Sequence, residues 1–259
     1  MPRIVVVGGT GHIGARVVQL LRARGADVGI ASRSRGVDLV SGEGLETALH
    51  GAEVVIDVSK SGSSDPAALH QFFSRAAEHL TAAERVAGVR HHIMLSIAGL
   101  DRAADVPFYA AKAELEGAIR AADTPFSILR ATQFFEFAGA MAAASTDARS
   151  GEVRLPPILV QPVAGADVAA ALVRLVDAEP TLGQTELAGP ETFELDGFIR
   201  TALGEHGAGG PILRDPDGRY FGGSIARDAL LPGPDAEIAP TRLEDWLARA
   251  ARDAGAEGD

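Results

Sequence analysis

The sequence predicts an α/β protein with a doubly wound parallel sheet, followed by a small carboxyl-terminal lobe. Two observations support this prediction. Short apolar runs alternate with amphipathic helical stretches from residue 4 to about residue 138, which is typical of parallel strands joined by right-handed crossovers. Beyond that point the elements become shorter and less regular. We therefore expect a main domain at residues 1–150 and a smaller lobe, interleaved with it, at residues 151–259.

A glycine-rich turn joins the first strand to the first helix. The apolar run Ile4–Val7 leads into the sequence GGTGHIG at residues 8–14, and an amphipathic helix follows. Glycines let the chain turn tightly and bring its backbone against a pyrophosphate, which the free N–H groups of a helix start also favour. The turn therefore predicts a dinucleotide site; the alternative is a tight turn without a ligand. The residues expected to bind here are Gly8, Thr10, Gly11, His12, Ile13 and Gly14.

The end of the second strand, Val28–Ala31, indicates which dinucleotide binds. A carboxylate at this position would bind the ribose 2′-hydroxyl of NAD(H), but the sequence continues Ser32-Arg33-Ser34-Arg35. Hydroxyl and guanidinium groups suit a 2′-phosphate, so Ser32 and Arg33 predict NADP(H) in preference to NAD(H). The alternative is that Arg33 and Arg35 are solvated loop charges.

The next two apolar runs predict a third and a fourth strand. The third covers Val37–Val40 and would place Asp38 near the adenine. The fourth covers Glu53–Val58 and is followed by Ser59. Because ligands lie at the carboxyl ends of the strands in such a sheet, we expect Ser59 beside the nicotinamide ribose.

Two further strands are predicted at His91–Ile97 and Phe126–Leu129. Ser96 lies near the end of the first, and Gln133 and Phe134 follow the second, so all three are expected on the nicotinamide and substrate side. For Ser96 the alternative is that its hydroxyl only satisfies backbone groups. Aromatic residues after the last strand are equally suited to ordinary core packing.

The remaining elements follow from helical spacing and turn residues. Asp65-Pro66 is a typical helix start, with a side-chain cap followed by proline in the first turn. The other predicted elements are a helix at 107–122, extended pieces at 158–163 and 186–188, helices at 44–49, 167–177 and 195–203, a loop at 207–223, and a last helix from Thr241.

Composition excludes several classes of function. The net charge of −11 disfavours nucleic-acid binding, and none of the apolar runs is long enough to cross a bilayer. The chain has no cysteine, which excludes thiolate catalysis and disulfides. No metal site is expected, because the seven histidines are scattered and the adjacent His91 and His92 would face opposite sides of a strand. We expect a cytoplasmic monomer or homodimer that acts on a small molecule.

Three motifs together resemble the short-chain dehydrogenase/reductase superfamily. They are GGTGHIG at 8–14, YAAKAELEGAIRA at 109–121 and ILRATQFFEF at 128–137. More narrowly, they resemble the atypical branch of NmrA-like NAD(P)H-binding proteins. The resemblance covers most of the chain and is strongest to about residue 170. It implies a Rossmann domain that carries NADP(H), with the small carboxyl-terminal lobe binding substrate over the nicotinamide.

The resemblance also implies a serine, a tyrosine and a lysine as catalytic residues. Ser96 and Lys112 match the serine and the lysine, and the lysine would also bind the nicotinamide ribose. Phe108, however, stands four residues before the lysine, where the tyrosine is expected. Tyr109 is three residues before Lys112, and a helix brings such residues to neighbouring positions. The alternatives are that Tyr109 packs or faces solvent and that Lys112 is a surface lysine.

The sequence thus favours an NADPH-dependent reductase that transfers hydride to a small carbonyl, enone or quinone compound of apolar or aromatic character. The retained serine and lysine support this interpretation. Phe108 supports the alternative, a non-catalytic NAD(P)-binding redox sensor or regulatory protein of the NmrA type, since a phenyl ring has no proton to transfer.

Overall fold

The computed structural model describes residues 2–204 and 210–256, with side chains to residue 252. The strands are β1 (Ile4–Val7), β2 (Val28–Ala31), β3 (Val54–Asp57), β4 (His91–Ile97), β5 (Phe126–Ala131), β6 (Val153–Leu155), β7 (Leu159–Val160), β8 (Gly183–Ala188), β9 (Phe193–Glu194), β10 (Ile212–Arg214) and β11 (Glu237–Ile238). The α-helices are α1 (His12–Ala23), α2 (Leu45–Leu49), α3 (Pro66–Ala87), α4 (Pro107–Ala121), α5 (Ala138–Ala144), α6 (Gly165–Val176), α7 (Leu195–Leu203) and α8 (Leu243–Ala256). In these described ranges, none of the helices is both long and apolar enough to cross a membrane.

The main sheet has seven strands in the order β11-β8-β5-β4-β3-β1-β2. Strand β1 pairs in parallel with both β2 and β3, and β3 pairs in parallel with β4. The chain therefore leaves β1 toward one edge and returns on the other side at β3. In an open α/β sheet, ligands bind beside the carboxyl ends of the strands where the order reverses in this way. The predicted doubly wound Rossmann-type sheet is confirmed.

The central strands and α3 form for reasons that are visible in the sequence. Strands β1 and β3 are buried along their whole length, which suits strands covered by helices on both faces. Helix α3 begins as predicted: the Asp65 carboxylate accepts the N–H of Ala68 at 2.9 Å, and Pro66 occupies the first turn. The helix ends at Gly88, whose φ of +72° is a common helix stop.

The chain divides into two compact units, and it passes between them several times. The first unit comprises the described residues within 1–96, 107–130 and 168–185, and the second those within 97–106, 131–167 and 186–259. The first unit contains the glycine-rich turn and α4. Its core includes an apolar cluster centred on β1, α2 and α3 and another on α3 and α4.

The predicted third strand, Val37–Val40, is wrong. These residues form a turn in which the Asp38 carboxylate accepts the N–H groups of Val40 and Ser41, at 2.7 and 3.1 Å. An aspartate that bonds its own backbone competes with strand pairing, and so short a run, with only three apolar residues, does not outweigh that competition. The predicted role of Asp38 near the adenine stays a prediction.

The predicted loop at 207–223 contains a strand. Within it β10 pairs in parallel with β6, and residues 205–209 lie outside the described residues. The strand has only three residues, of which Ile212 is buried and Leu213 is exposed. So short an alternation, flanked by glycine and proline, gives little signal in the sequence.

Candidate functional site

The glycine-rich turn is built without room for side chains. Gly8 has a φ of +79°, and a Cβ on it would lie 2.9 Å from the carbonyl oxygen of Val58. A Cβ on Gly14 would lie 2.2 Å from the carbonyl oxygen of Gly8. Only glycine fits at these two positions, where the turn packs against the end of β3 and the start of α1.

Helix α1 begins directly after this turn. Gly11 is its N-cap residue and provides no side-chain hydrogen bond, and the adjacent Thr10 and His12 are exposed. Ile13 is buried and anchors the first turn of the helix. The backbone N–H groups of an uncapped helix start carry partial positive charge, so this end of α1 is suited to a pyrophosphate.

The end of β2 carries the hydroxyl and guanidinium groups that the sequence indicated. Ser32 Oγ and Ser34 Oγ lie 3.1 Å apart, and Arg33–Arg35 form an exposed 3-10 turn. A Cβ on Gly62 would meet Arg33 Nη2 at 3.5 Å. The Arg33 guanidinium therefore lies beside the loop that follows β3, which is one of the strands at the point of order reversal.

Two buried hydroxyl groups lie at the carboxyl ends of β3 and β4. Ser59 is 8% exposed, and its backbone N–H donates to Oδ1 of Asp57 at 2.8 Å. Ser96 is 4% exposed. Neither hydroxyl has a hydrogen-bond partner among the described residues. Buried hydroxyls are normally bonded, so these two are suited to bind a ligand at this edge of the sheet.

Helix α4 buries both of the residues that the sequence assigned to proton transfer. Tyr109 is 5% exposed and Lys112 is 3% exposed, so the surface-lysine alternative is wrong. Lys112 Nζ lies 5.2 Å from the centre of the Phe73 ring, in a cation–π contact. Phe108 packs edge-to-face on the same ring, with 5.6 Å between centroids. The residue at the expected tyrosine position therefore packs against the core.

The environment of Lys112 favours release of a proton. Burial lowers the pKa of its amine, and the carboxylates of Asp57 and Glu116 oppose this shift by favouring the ammonium. A lysine with a lowered pKa transfers protons more readily near neutral pH than an exposed one.

A buried ion pair lies one helical turn further along α4. Arg130, in β5, donates from Nε to Glu116 Oε1 at 2.9 Å and from Nη2 to Oε2 at 2.7 Å. The two residues are 4% and 3% exposed. Such a bidentate pair satisfies both carboxylate oxygens and fixes α4 against β5. Sequence analysis missed it; the available signal was an arginine inside an apolar strand and a glutamate on the apolar face of a helix.

The adjacent histidines at the start of β4 occupy different environments. His91 Nε2 is hydrogen-bonded to Ser127 Oγ at 2.8 Å, whereas His92 Nδ1 lies 2.6 Å from Glu84 Oε1. Burial lowers the pKa of His91 to about 4, and the neighbouring His92 adds to the shift. Burial also acts to lower the pKa of His92, but the charge and hydrogen bond of Glu84 raise it above its ordinary value. One imidazole is thus kept neutral while the other is favoured as a cation.

The residues after β5 belong to the second unit. Gln133 and Phe134 are 6% and 7% exposed, and the Phe134 ring lies 5.0 Å from that of Phe137, which is 37% exposed. Phe135 instead packs against Phe198 with 6.3 Å between ring centroids, and it is a core residue. The expected contact of Gln133 and Phe134 with the nicotinamide stays a prediction.

Comparison of the sequence with known proteins gives one family and one curated relative. The profile of the NmrA-like family matches residues 2–192. The photosystem II assembly factor Ycf39 of Cyanophora paradoxa is 26% identical over 147 residues, which are 51% of this chain and 46% of that protein. The chain therefore spans about half the length of this curated relative.

Solved structures share the fold over nearly the whole chain. A nucleoside-diphosphate-sugar epimerase from Staphylococcus aureus has a TM-score of 0.70 at 15% identity, covering 95% of this chain and 99% of that one. A UDP-glucose 4-epimerase from Thermus thermophilus, in complex with NAD, has a TM-score of 0.64 at 19% identity, covering 96% and 93%. At these identities the likeness concerns the fold alone.

Proposed function

Because the chain belongs to the NmrA-like family, we propose that it is an NADPH-dependent oxidoreductase. It reduces a small carbonyl, enone or quinone compound of apolar or aromatic character. The observation that carries this proposal is the burial of Lys112 near the Asp57 carboxylate, in the same unit as a glycine turn without room for side chains. The turn is suited to a pyrophosphate, and the buried amine is suited to proton transfer.

The choice of NADPH rests on the end of β2. The Thermus thermophilus epimerase is in complex with NAD, so the fold accepts that dinucleotide. In this chain Ser32 and Arg33 stand where a carboxylate would bind the 2′-hydroxyl of NAD(H). The exposed Arg33 guanidinium donates charge-assisted hydrogen bonds to a 2′-phosphate, which only NADP(H) carries.

The protein's own groups supply the proton and orient the substrate. When bound, NADPH supplies the hydride that reduces the carbonyl carbon. The Lys112 ammonium gives a proton to the carbonyl oxygen, so that an alcohol forms and a neutral amine remains. Ser96, whose buried hydroxyl has no partner among the described residues, donates a hydrogen bond to the same oxygen. Tyr109 is the second candidate for the proton donor, since it is buried on the same helix.

The packing of Phe108 favours a second candidate function. Its ring packs against Phe73 of the core cluster, at the position where a catalytic tyrosine is expected. A protein that binds NAD(P) without turnover needs no proton donor at this position. The second candidate is therefore a redox sensor that reports the state of the dinucleotide to a partner.

Two measurements on the purified protein separate these functions. Calorimetry with NADPH and NADH tests the dinucleotide site, and loss of NADPH absorbance with a panel of quinones, ketones and enones tests the reaction. Binding with turnover supports the reductase, and tight binding without turnover for any acceptor supports the sensor. Absence of binding for both dinucleotides at millimolar concentration would contradict both functions.

A further inference from the structure

A row of buried charged groups lies on the sheet face that α3 and α4 cover. His92 pairs with Val55 across β4 and β3, and Asp57 lies two residues further along β3. Alternate residues of a strand share a face, so Asp57 and His92 project from the same side of the sheet. Glu84 of α3 contacts His92 there. Lys112 of α4 lies close enough to Asp57 for the carboxylate to act on its pKa.

Three polar atoms in this row lack a hydrogen-bond partner among the described residues. They are Oδ2 of Asp57, Nε2 of His92 and Oε2 of Glu84. All three residues are 0% exposed. Leaving a buried polar atom unsatisfied is destabilising, and internal water molecules ordinarily bond such atoms. Beside the Glu84–His92 ion pair, the row therefore keeps three polar atoms that are suited to bond internal water.

A surface groove lies beside one end of the row. A groove of about 440 Å³ lies between the carboxyl ends of α3 and α4, and Glu84 is among its lining residues. Val89 and Thr124, which precede β4 and β5, also line it, so the groove lies at the amino ends of these strands. Asp57, in contrast, is the last residue of β3 and lies at the carboxyl edge. The row thus joins the two edges of the sheet.

We propose that a proton path joins Lys112 to this groove. The path consists of Asp57, His92 and Glu84, bridged by internal water. It rests on the proposed function, because it replaces the proton that Lys112 gives to each substrate molecule. A proton from solvent enters at Glu84, His92 takes it up at one ring nitrogen and releases one from the other, and the neutral amine regains its charge through Asp57. Over one turnover a carbonyl compound, NADPH and one solvent proton become an alcohol and NADP⁺.

Among the described residues, three buried acids and three buried basic residues belong to this row or contact it. The acids are Asp57, Glu84 and Glu116, and the basic residues are His92, Lys112 and Arg130, which bonds Glu116. Burial acts to lower the pKa of both His92 and Lys112, and nearby carboxylates act to raise both. For His92 the net result is a pKa above its ordinary value, whereas for Lys112 burial outweighs the carboxylates and the pKa stays below its ordinary value. The two pKa values move toward each other, which eases proton transfer between the groups.

Kinetics distinguishes a proton path from a structural role. The variants His92→Gln and Glu84→Gln interrupt the path, and His91→Asn alters the neighbouring buried histidine as a control. The first turnover uses the proton already on Lys112, so its rate should change by less than about twofold, while steady-state turnover should fall by about tenfold or more, within the range of positioned proton transfer. The solvent deuterium isotope effect on steady-state turnover should rise. The path is wrong if both rates fall together, if neither falls, or if His91→Asn has the same effect.

A surface variant tests the path without touching its buried charges. Ala82 is exposed and lines the groove, so Ala82→Trp fills the groove and leaves the row intact. Val86→Trp is the matched control, since Val86 is on the same helix, is 69% exposed and is not among the lining residues. Ala82→Trp should slow steady-state turnover but not the first turnover, and Val86→Trp should slow neither. Equal effects of the two variants would overturn the path.

Hydrogen exchange separates failure of the path from failure of the proposed function. If no acceptor is reduced, the reductase assignment is wrong, yet NMR of nitrogen-labelled protein still reports exchange of the His92 ring proton with water. The path predicts that this proton exchanges faster than the backbone amides of β4, which exchange only by opening of the sheet, and that Ala82→Trp slows it. Exchange as slow as that of those amides overturns the path.

Discussion

Lys112 and Glu116 lie one turn apart on α4 and are equally buried, yet their charges are satisfied in different ways. Both oxygens of Glu116 accept hydrogen bonds from Arg130, at 2.9 and 2.7 Å. Lys112 lies over the Phe73 ring, near Asp57. Oδ2 of Asp57 has no hydrogen-bond partner in the part of the chain that the structure describes.

The difference teaches how to tell a structural charge from a functional one. A completed buried pair fixes one arrangement of helix and strand, and breaking it leaves an uncompensated charge. An incomplete group keeps the capacity to bind a ligand or to exchange a proton. Since both kinds of charge occur on one helix face, burial alone does not separate them. On the proposed function, the number of satisfied polar atoms around each charge does.

Lys112→Met should have the largest effect, on activity more than on stability. It removes the proposed proton donor, so kcat/KM for NADPH oxidation should fall by about 10²–10⁴-fold. Asp57 keeps the N–H of Ser59 and the neighbouring His92, so the protein should remain folded. Activity assays and thermal melts measure the two effects. Loss of activity in Tyr109→Phe, with Lys112→Met unaffected, would move the donor to Tyr109.

Arg130→Met should show the opposite pattern, with the loss in stability. It leaves the Glu116 carboxylate buried without its bidentate partner, which should lower the free energy of unfolding by about 3–5 kcal/mol. The double variant Arg130→Met/Glu116→Leu should regain most of this loss, because an apolar pair of similar volume replaces a buried ion pair with little cost. Urea denaturation of both variants is the measurement. A single variant as stable as the double one would contradict a structural role.

The sequence predicted most of the sheet because its signals are local. Buried runs such as Ile4–Val7 and the Asp65-Pro66 helix start carry their own evidence in a few adjacent residues. The error at Val37–Val40 arose because the Asp38 side chain competes locally for the backbone, which an apolar pattern does not reveal. Strand β10 was missed because its three residues give too short a period.

The candidate site was predicted only where topology fixes it. Ser59 and Ser96 follow from the rule that ligands lie at the carboxyl ends of strands, and the structure places both hydroxyls there. The buried partners of α4 did not follow, because which charges meet across a helix and a sheet depends on tertiary packing. The charged residues that sequence analysis did not assign to this region are Asp57, Glu84, His92, Glu116 and Arg130.

The two histidines extend the comparison to pH. The pKa of His91 is lowered to about 4, so as the pH falls from about 6.5 the unfolded state takes up a proton that the folded state does not, and stability falls. The pKa of His92 is raised, so its contribution is complete below its ordinary pKa and is lost as the pH rises through the folded value. The urea midpoint of unfolding, measured at a series of pH values from acid to alkaline, tests both effects.

Single substitutions separate the contributions of the two histidines to the pH dependence of stability. His91→Asn should flatten the acid side of the stability profile only, and His92→Gln should flatten the alkaline side only. The comparison uses the change of the urea midpoint with pH rather than the midpoint at any one pH, because either substitution also changes buried packing. If both variants keep the slopes of the parent protein, neither imidazole has the shifted pKa that its environment indicates.

Arg33→Ala tests an exposed charge and should have the smallest effect, which is confined to the affinity for the dinucleotide. The guanidinium is exposed, so its loss leaves no buried charge and stability should not change. A hydrogen bond to a charged group contributes about 1.5–3 kcal/mol, so the Kd for NADPH should rise by about 10- to 150-fold. The Kd for NADH should stay within about twofold, because that dinucleotide has no 2′-phosphate for the guanidinium to bind. Arg35→Ala, in the same exposed turn, is the matched control for calorimetry. Equal weakening of the binding of both dinucleotides would mean that Arg33 is a solvated loop charge. In that case a charge without a partner among the described residues would indicate function only where it is buried, because burial makes a missing partner costly.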